Sequence, residues 1–84
     1  MGSIEKLMQT LKSRPKAFGW SDLRRVLLNM GYAECSGGKT SGSRVKFTHP
    51  TTPPIVLHRP HPGNQMKQYA IKLVVDVLEK EGLL

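Results

Sequence analysis

The sequence predicts an α+β domain in which a three-stranded antiparallel sheet packs on helices, in the order helix, helix, strand, strand, strand, helix. Apolar residues recur at helical spacing near both ends of the chain, and the middle alternates between apolar and polar residues. Prolines and glycines separate these segments, and 84 residues suffice for only one domain. Because the helices cover one face of such a sheet, we expect the other face to be open to solvent.

The first predicted helix begins at Ser3, a suitable N-cap residue, and ends before Pro15. Arg14 is disfavoured in the helical region because it precedes a proline. The predicted apolar face of this helix consists of Ile4, Leu7, Met8 and Leu11. Residues 16–20 are interpreted as a linker to the second helix.

The second predicted helix has Ser21 as its N-cap, and Asp22 suits the positive end of the helix dipole. Gly31 is a natural C-terminal stop. The predicted buried stripe consists of Leu23, Val26, Leu27 and Met30.

The middle of the chain changes from helical spacing to the two-residue period of a strand. Strands are predicted over residues 32–36, 42–49 and 55–59. In the second strand, Val45 and Phe47 are expected to face the helices. Arg44 and Lys46 would then lie on the open face.

The last predicted helix follows a segment with Pro60 and Pro62, which cannot continue a strand because proline lacks an N–H donor. The helix is predicted from about Gln65 to Glu81, with Gly82 as its stop. Its predicted apolar face consists of Met66, Ala70, Leu73, Val74, Val77 and Leu78.

The charge is strongly positive and unevenly distributed. Thirteen Lys+Arg and six Asp+Glu leave a net charge of +7. No acid occurs from Cys35 to Val75, and all three histidines lie in this segment. Its cations are Lys39, Arg44, Lys46, Arg59, Lys67 and Lys72. A solvated basic face without function gives the same pattern, but excluding acids from half a domain is more typical of phosphate binding.

Histidines and cations together provide what RNA cleavage without a metal requires. The 2′-hydroxyl of RNA is the nucleophile, so the protein supplies a base, an acid and cations for the phosphate. His58 and His61 suit the first two roles because histidine titrates near neutral pH. Arg44, Lys46 and Arg59 suit the third.

Metal chemistry is poorly supported by the residue pattern. The three histidines do not match a usual zinc-ligand spacing, and no pair of carboxylates lies near them for a two-metal site. We therefore predict no metal and no cofactor. His49, which precedes Pro50, is interpreted as a turn residue rather than a catalytic one.

The chain is also predicted to have no membrane partner. Its longest apolar stretches are only two or three residues, and its amino end lacks the apolar core of a signal peptide. The single cysteine, Cys35, cannot form a disulfide within the chain. These features predict that the protein is located in the cytoplasm.

Three segments form a set that is more specific than any one of them. They are residues 21–32, with Ser21-Asp22-Leu23 and the apolar stripe up to Tyr32, then residues 41–50, and the segment Pro60-His61-Pro62-Gly63. With this set, the chain from about Trp20 to Leu84 resembles the HicA toxins of bacterial type II toxin–antitoxin systems, also called YcfA-like mRNA interferases. Residues 1–19 lie outside the resemblance and are interpreted as a helical extension to a domain of residues 20–84.

The resemblance implies a fold like that of double-stranded-RNA-binding domains (dsRBD-like). It also implies ribosome-independent, metal-independent cleavage of mRNA, and a HicB antitoxin that covers the active site. The catalytic candidates are His61, His58 and Arg44. The positions expected to bind RNA are Lys39, Ser43, Lys46, Arg59 and Lys67.

One position departs from the family pattern. The family's catalytic histidine follows Gly-Ser on the second strand, where this chain has Arg44. Arginine is always protonated and cannot act as a general base at neutral pH. Three interpretations stay open: His58 or His61 takes over as base, the chain binds RNA without cutting it, or Arg44 is a disabling substitution.

Overall fold

The computed structural model describes residues 3–36, 44–60 and 63–84, and it confirms the α+β fold class. Helices pack on one face of a three-stranded antiparallel sheet, which is consistent with a dsRBD-like fold. The elements are α1 (Ser3–Lys12), β1 (Ala17–Gly19), α2 (Trp20–Asn29), β2 (Ala33–Ser36), β3 (Arg44–Thr48), β4 (Ile55–His58), β5 (Gln65–Lys67) and α3 (Gln68–Lys80).

The main sheet has the strand order β2-β3-β4, and each observed strand lies within its predicted range. The predicted alternation of β3 is confirmed, because Val45 and Phe47 are buried whereas Arg44 and Lys46 are exposed. Strand β4 alternates in the same way and buries its first and third residues. The sheet therefore has one face in the core and one face in solvent.

A second, two-stranded sheet joins parts of the chain that are far apart in sequence. Strand β1 pairs antiparallel with β5, and Phe18 lies opposite Met66 with both side chains buried. The backbone N–H of Trp20 donates a hydrogen bond of 2.6 Å to the carbonyl of Asn64. The prediction that the last helix starts at Gln65 is wrong, because residues 65–67 pair with β1 and helix α3 starts at Gln68.

The start of α2 also differs from the prediction. The helix begins at Trp20, and its N-cap is Gly19 rather than Ser21. The pairing of β1 with β5 brings the extended chain directly to Gly19, so the helix starts where the strand ends. Trp20 is thereby buried in the core with Leu23, Val26 and Leu27 of the predicted stripe, whereas Met30 packs partly buried against it.

Helix α1 packs on the same core as the rest of the chain. Leu11 is fully buried, and the other predicted apolar residues of α1 pack partly buried around the core. Arg14 forms salt bridges with Asp76 at 2.6 Å and Glu79 at 3.2 Å on α3. These hydrogen bonds, first to Asp76 and then to Glu79, raise the pKa of Arg14 above its usual value. Arg14 adopts a positive φ of 54°, which turns the chain out of α1 just before Pro15.

The C-terminus of α2 depends on Gly31. This residue has a φ of +100°, and the next amide, of Tyr32, donates to the carbonyl of Leu27 at 3.1 Å. A Cβ atom added at Gly31 would lie 3.1 Å from Nε2 of His49. Both the backbone conformation and the neighbouring ring therefore require glycine.

We expect Leu11→Ala to lower the free energy of unfolding by about 2–5 kcal/mol, because it removes a fully buried leucine from the core. Lys6→Ala, an exposed position on the same helix, should change it by no more than about 0.5 kcal/mol. Urea denaturation of both variants measures the difference. Equal stabilities would show that α1 contributes nothing to the core.

We expect Gly31→Ala to destabilise the protein more than Gly82→Ala. Both positions have positive φ, which costs about 1–2 kcal/mol for a residue with a Cβ atom. Nothing lies within 4 Å of a Cβ atom at Gly82, whereas the one at Gly31 would press on His49. Thermal unfolding of the two variants compares them, and an equal loss would contradict the steric contribution of His49.

Candidate functional site

The open face of the main sheet carries the two cations that the alternation of β3 predicts. Arg44 and Lys46 are exposed on β3, and Val56 and His58 are exposed on β4. In the register of the sheet, Arg44 lies opposite His58, and Lys46 lies between Cys35 and Val56. Directly opposite side chains on one face have Cβ atoms about 4.5–5.5 Å apart, so the guanidinium and the imidazole can act on one bound group.

Glu34, the acid on β2, does not neutralise the cations of the open face. Because neighbouring strand residues point to opposite faces, Glu34 lies on the other face of β2 from the exposed Cys35. Its carboxylate forms an ion pair with Arg24 of α2. Within the described part of the chain, neither Arg44 nor Lys46 forms a salt bridge. Their charges are therefore available to an anionic ligand such as a phosphate.

A groove of about 510 Å³ borders the open face along β4 and separates this edge strand from β5 and the start of α3. Three predicted site residues, His58, Arg59 and Lys67, line it together. His58 thus belongs both to the groove and to the open face. The other described residues that line it are Val56, Leu57, Pro60, Gln65, Met66, Tyr69, Ala70 and Leu73.

Arg59 is held against the aromatic part of the core. Its guanidinium carbon lies 6.0 Å from the ring centroid of Trp20, within the range of a cation–π interaction. The ring of Trp20 is in turn tilted against Phe47, with centroids 6.1 Å apart. This contact lies beside the groove, which Arg59 also lines.

His49 has a structural role, in agreement with its interpretation as a turn residue. Its Nδ1 accepts a hydrogen bond from the backbone N–H of Thr51 at 3.1 Å. The hydrogen of the neutral ring is therefore on Nε2, which donates to the carbonyl of Met30 at 3.0 Å. The ring also packs against Tyr32, with centroids 4.8 Å apart. Both nitrogens are thus engaged inside the protein.

His61, Lys39 and Ser43 lie outside the described residues, so their predicted roles stay predictions. Within residues 3–36, 44–60 and 63–84, no three His, Cys, Asp or Glu side chains are grouped so as to hold a metal ion. Over the same ranges, no helix has the length and apolar character needed to cross a bilayer.

The exposed apolar wall of the groove was not predicted. Leu73 was placed on the buried face of the last helix, but it is 53% exposed and lines the groove. Ile71 and Val75 are fully buried in its place. The sequence contains one indication that a residue such as Leu73 is exposed. The number of apolar residues between positions 71 and 78 exceeds what one buried stripe of a helix can hold.

A family model described as HicA toxin of bacterial toxin-antitoxin matches residues 20–82. The matched range begins at the first residue of α2 and contains the open face and the groove. No curated protein and no solved structure matches the chain.

We expect His49→Ala to lower the free energy of unfolding by about 1–3 kcal/mol, because it leaves the partly buried Met30 carbonyl without its donor. His58→Ala is the matched control, since His58 is exposed and should change stability by no more than about 0.5 kcal/mol. Guanidinium denaturation measures both. A larger loss from His58→Ala would contradict these assignments.

Proposed function

The chain belongs to the HicA toxin family, and we propose that it cleaves mRNA as a metal-independent endoribonuclease. It is the toxin component of a bacterial toxin–antitoxin system, and this family implies an antitoxin as its partner. The observation that carries the proposal is the register of β3 and β4, which sets Arg44 opposite His58 on an exposed face. A guanidinium and an imidazole are the groups that phosphodiester cleavage without a metal uses.

The reaction proposed for this face needs no nucleophile from the protein. A histidine acting as base takes the proton of the RNA 2′-hydroxyl, and the oxygen attacks the adjacent phosphorus. Arg44 stabilises the negative charge on the phosphate oxygens as the new P–O bond forms. A histidine acting as acid protonates the departing 5′-oxygen, which leaves a 2′,3′-cyclic phosphate and a 5′-hydroxyl. His58 and His61 share these two roles.

Several cations would hold the RNA backbone around the reacting phosphate. Lys46 is exposed beside Arg44 on the open face, and Arg59 and Lys67 line the groove on the other side of His58. We propose Lys39 and Ser43 as further RNA contacts, Lys39 as a cation of the acid-free segment and Ser43 as part of the segment that carries the family resemblance. Such contacts bind phosphate without reading sequence, so affinity should fall steeply as salt rises.

We further propose that the antitoxin is of HicB type and covers the open face. Arg44 and Lys46 form no salt bridge within the described residues, so an acidic partner surface would pair with them. Complementary charges of this kind favour rapid association. Covering the face would also exclude RNA from Arg44 and His58, which accounts for neutralisation.

A first experiment incubates the chain with a long single-stranded mRNA in the presence of EDTA. We expect cleavage, and we expect the His58→Ala/His61→Ala double variant to lose it while still binding RNA. Removing a general acid or base typically costs about 10²–10⁴-fold in rate. Lys80→Ala, an exposed cation at the end of α3, is the control and should cleave normally. Activity that EDTA abolishes and magnesium restores would contradict the metal-independent mechanism.

The second candidate function is RNA binding without cleavage, and the exposed Arg44 favours it. A guanidinium at this position can hold a phosphate but cannot accept a proton at neutral pH. Intact RNA together with a salt-dependent gel shift would support this candidate. The Arg44→His variant then separates the remaining interpretations: cleavage gained by this substitution identifies Arg44 as disabling, and RNA that stays intact identifies a binding module.

A further inference from the structure

The groove beside β4 concentrates the exposed apolar surface of the protein. Among the described residues, the large hydrophobic side chains that are exposed are Leu28, Val56, Tyr69 and Leu73. All of them except Leu28 line this groove, and Tyr69 is 73% exposed. Apolar side chains gathered in this way on a small protein commonly mark a binding site.

The charge of the groove indicates what kind of ligand it accepts. His58, Arg59 and Lys67 line it, and among the described residues that line it there is no acid. A ligand that suits both the apolar wall and the cations has a flat apolar body next to anionic groups. A nucleotide has this combination, with a base that can stack on an aromatic ring and a phosphate on each side.

We propose that this groove binds one base of single-stranded RNA, with Tyr69 as the stacking platform. Leu73 and Val56 form the apolar wall beside the base, and Lys67 and Arg59 bind the flanking phosphates. The volume of about 510 Å³ falls within the range of roughly 300–1,000 Å³ that small-molecule sites occupy. The inference rests on the proposed function, because it assigns a subsite to the same RNA.

The position of His58 connects this subsite to the proposed reaction. His58 lines the groove and also lies opposite Arg44 on the open face. A base held on Tyr69 would therefore place a neighbouring phosphate beside the Arg44–His58 pair. Because a base in a duplex is already paired and stacked, the subsite selects single-stranded RNA and determines which phosphate is cut.

The stacking role falls to Tyr69 because it is the exposed aromatic side chain of the protein. The whole chain has five aromatic residues. Phe18, Trp20, Tyr32 and Phe47 are buried. The exposed Tyr69 is the exception, and its place in the groove makes it available to a base.

The test measures binding of a short single-stranded RNA whose 2′-O-methyl groups prevent cleavage. We expect Tyr69→Ala to weaken binding by about 5- to 150-fold, the range found when an aromatic platform for one base is removed. Tyr69→Trp should retain the affinity. Leu28→Ala, an exposed apolar residue of α2 outside the groove, is the matched control and should bind normally.

Salt dependence and abasic RNA distinguish stacking from a general loss of structure. Tyr69→Ala should leave the slope of log affinity against log salt unchanged, whereas Lys67→Ala should reduce it by about 1. Against an oligonucleotide in which all bases are replaced by abasic sites, Tyr69→Ala should bind as well as the parent. A loss that persists on the abasic strand would overturn the stacking assignment.

The outcomes separate this inference from the function on which it rests. A parent chain that binds no RNA would overturn both. A parent that binds RNA, with Tyr69→Ala binding equally well, would overturn the subsite and leave the ribonuclease proposal standing. If Tyr69→Ala bound RNA normally but lost affinity for the antitoxin, the groove would be a protein-binding site and the inference would be wrong.

Discussion

The register of β3 is the constraint on which the candidate site depends. Helices cover one face of the sheet only, so the strand must put Val45 and Phe47 on that side. A slip of one residue would bury Arg44 and Lys46 and expose both apolar side chains, because strand side chains alternate with a period of two. Burying two unpaired charges is far more costly than any gain from the new pairing. The core thus holds both cations in solvent, where they can meet a phosphate.

The position of β4 at the edge of the sheet joins the two parts of the site. One face of this strand is exposed to solvent beside Arg44. Its unpaired edge borders the groove, which the start of α3 also lines. His58 belongs to both regions, so the proposed proton transfer and the proposed RNA binding would meet at one residue. Several acids are engaged elsewhere: Glu34 pairs with Arg24, and the carboxylates of α3 pair with Arg14. These ion pairs attach helices to the fold while the open face keeps its positive charge.

Much of the candidate site could be predicted because it follows from alternation and composition. The sequence was sufficient to place Arg44 on the open face and to identify His49 as a turn residue. It could not place Arg59 against Trp20 or bring Lys67 to the same groove, because those contacts join residues far apart in the chain. The exposed apolar wall was missed for a related reason. Helix α3 has more apolar residues than its buried stripe can hold, and only the packed core decides which of them remain outside.

The sequence by itself determined the fold class, the order of the main elements and the C-terminal ends of the first two helices. Each of these depends on local chemistry: Pro15 ends α1, a glycine with positive φ ends α2, and alternation defines the strands. Only the tertiary structure decided that residues 65–67 form a strand. Their pairing with β1 buries Phe18 against Met66, and the backbone hydrogen bonds come from a segment more than forty residues away. A local pattern contains no information about such a partner, because the same residues fit a helix until the partner strand is present.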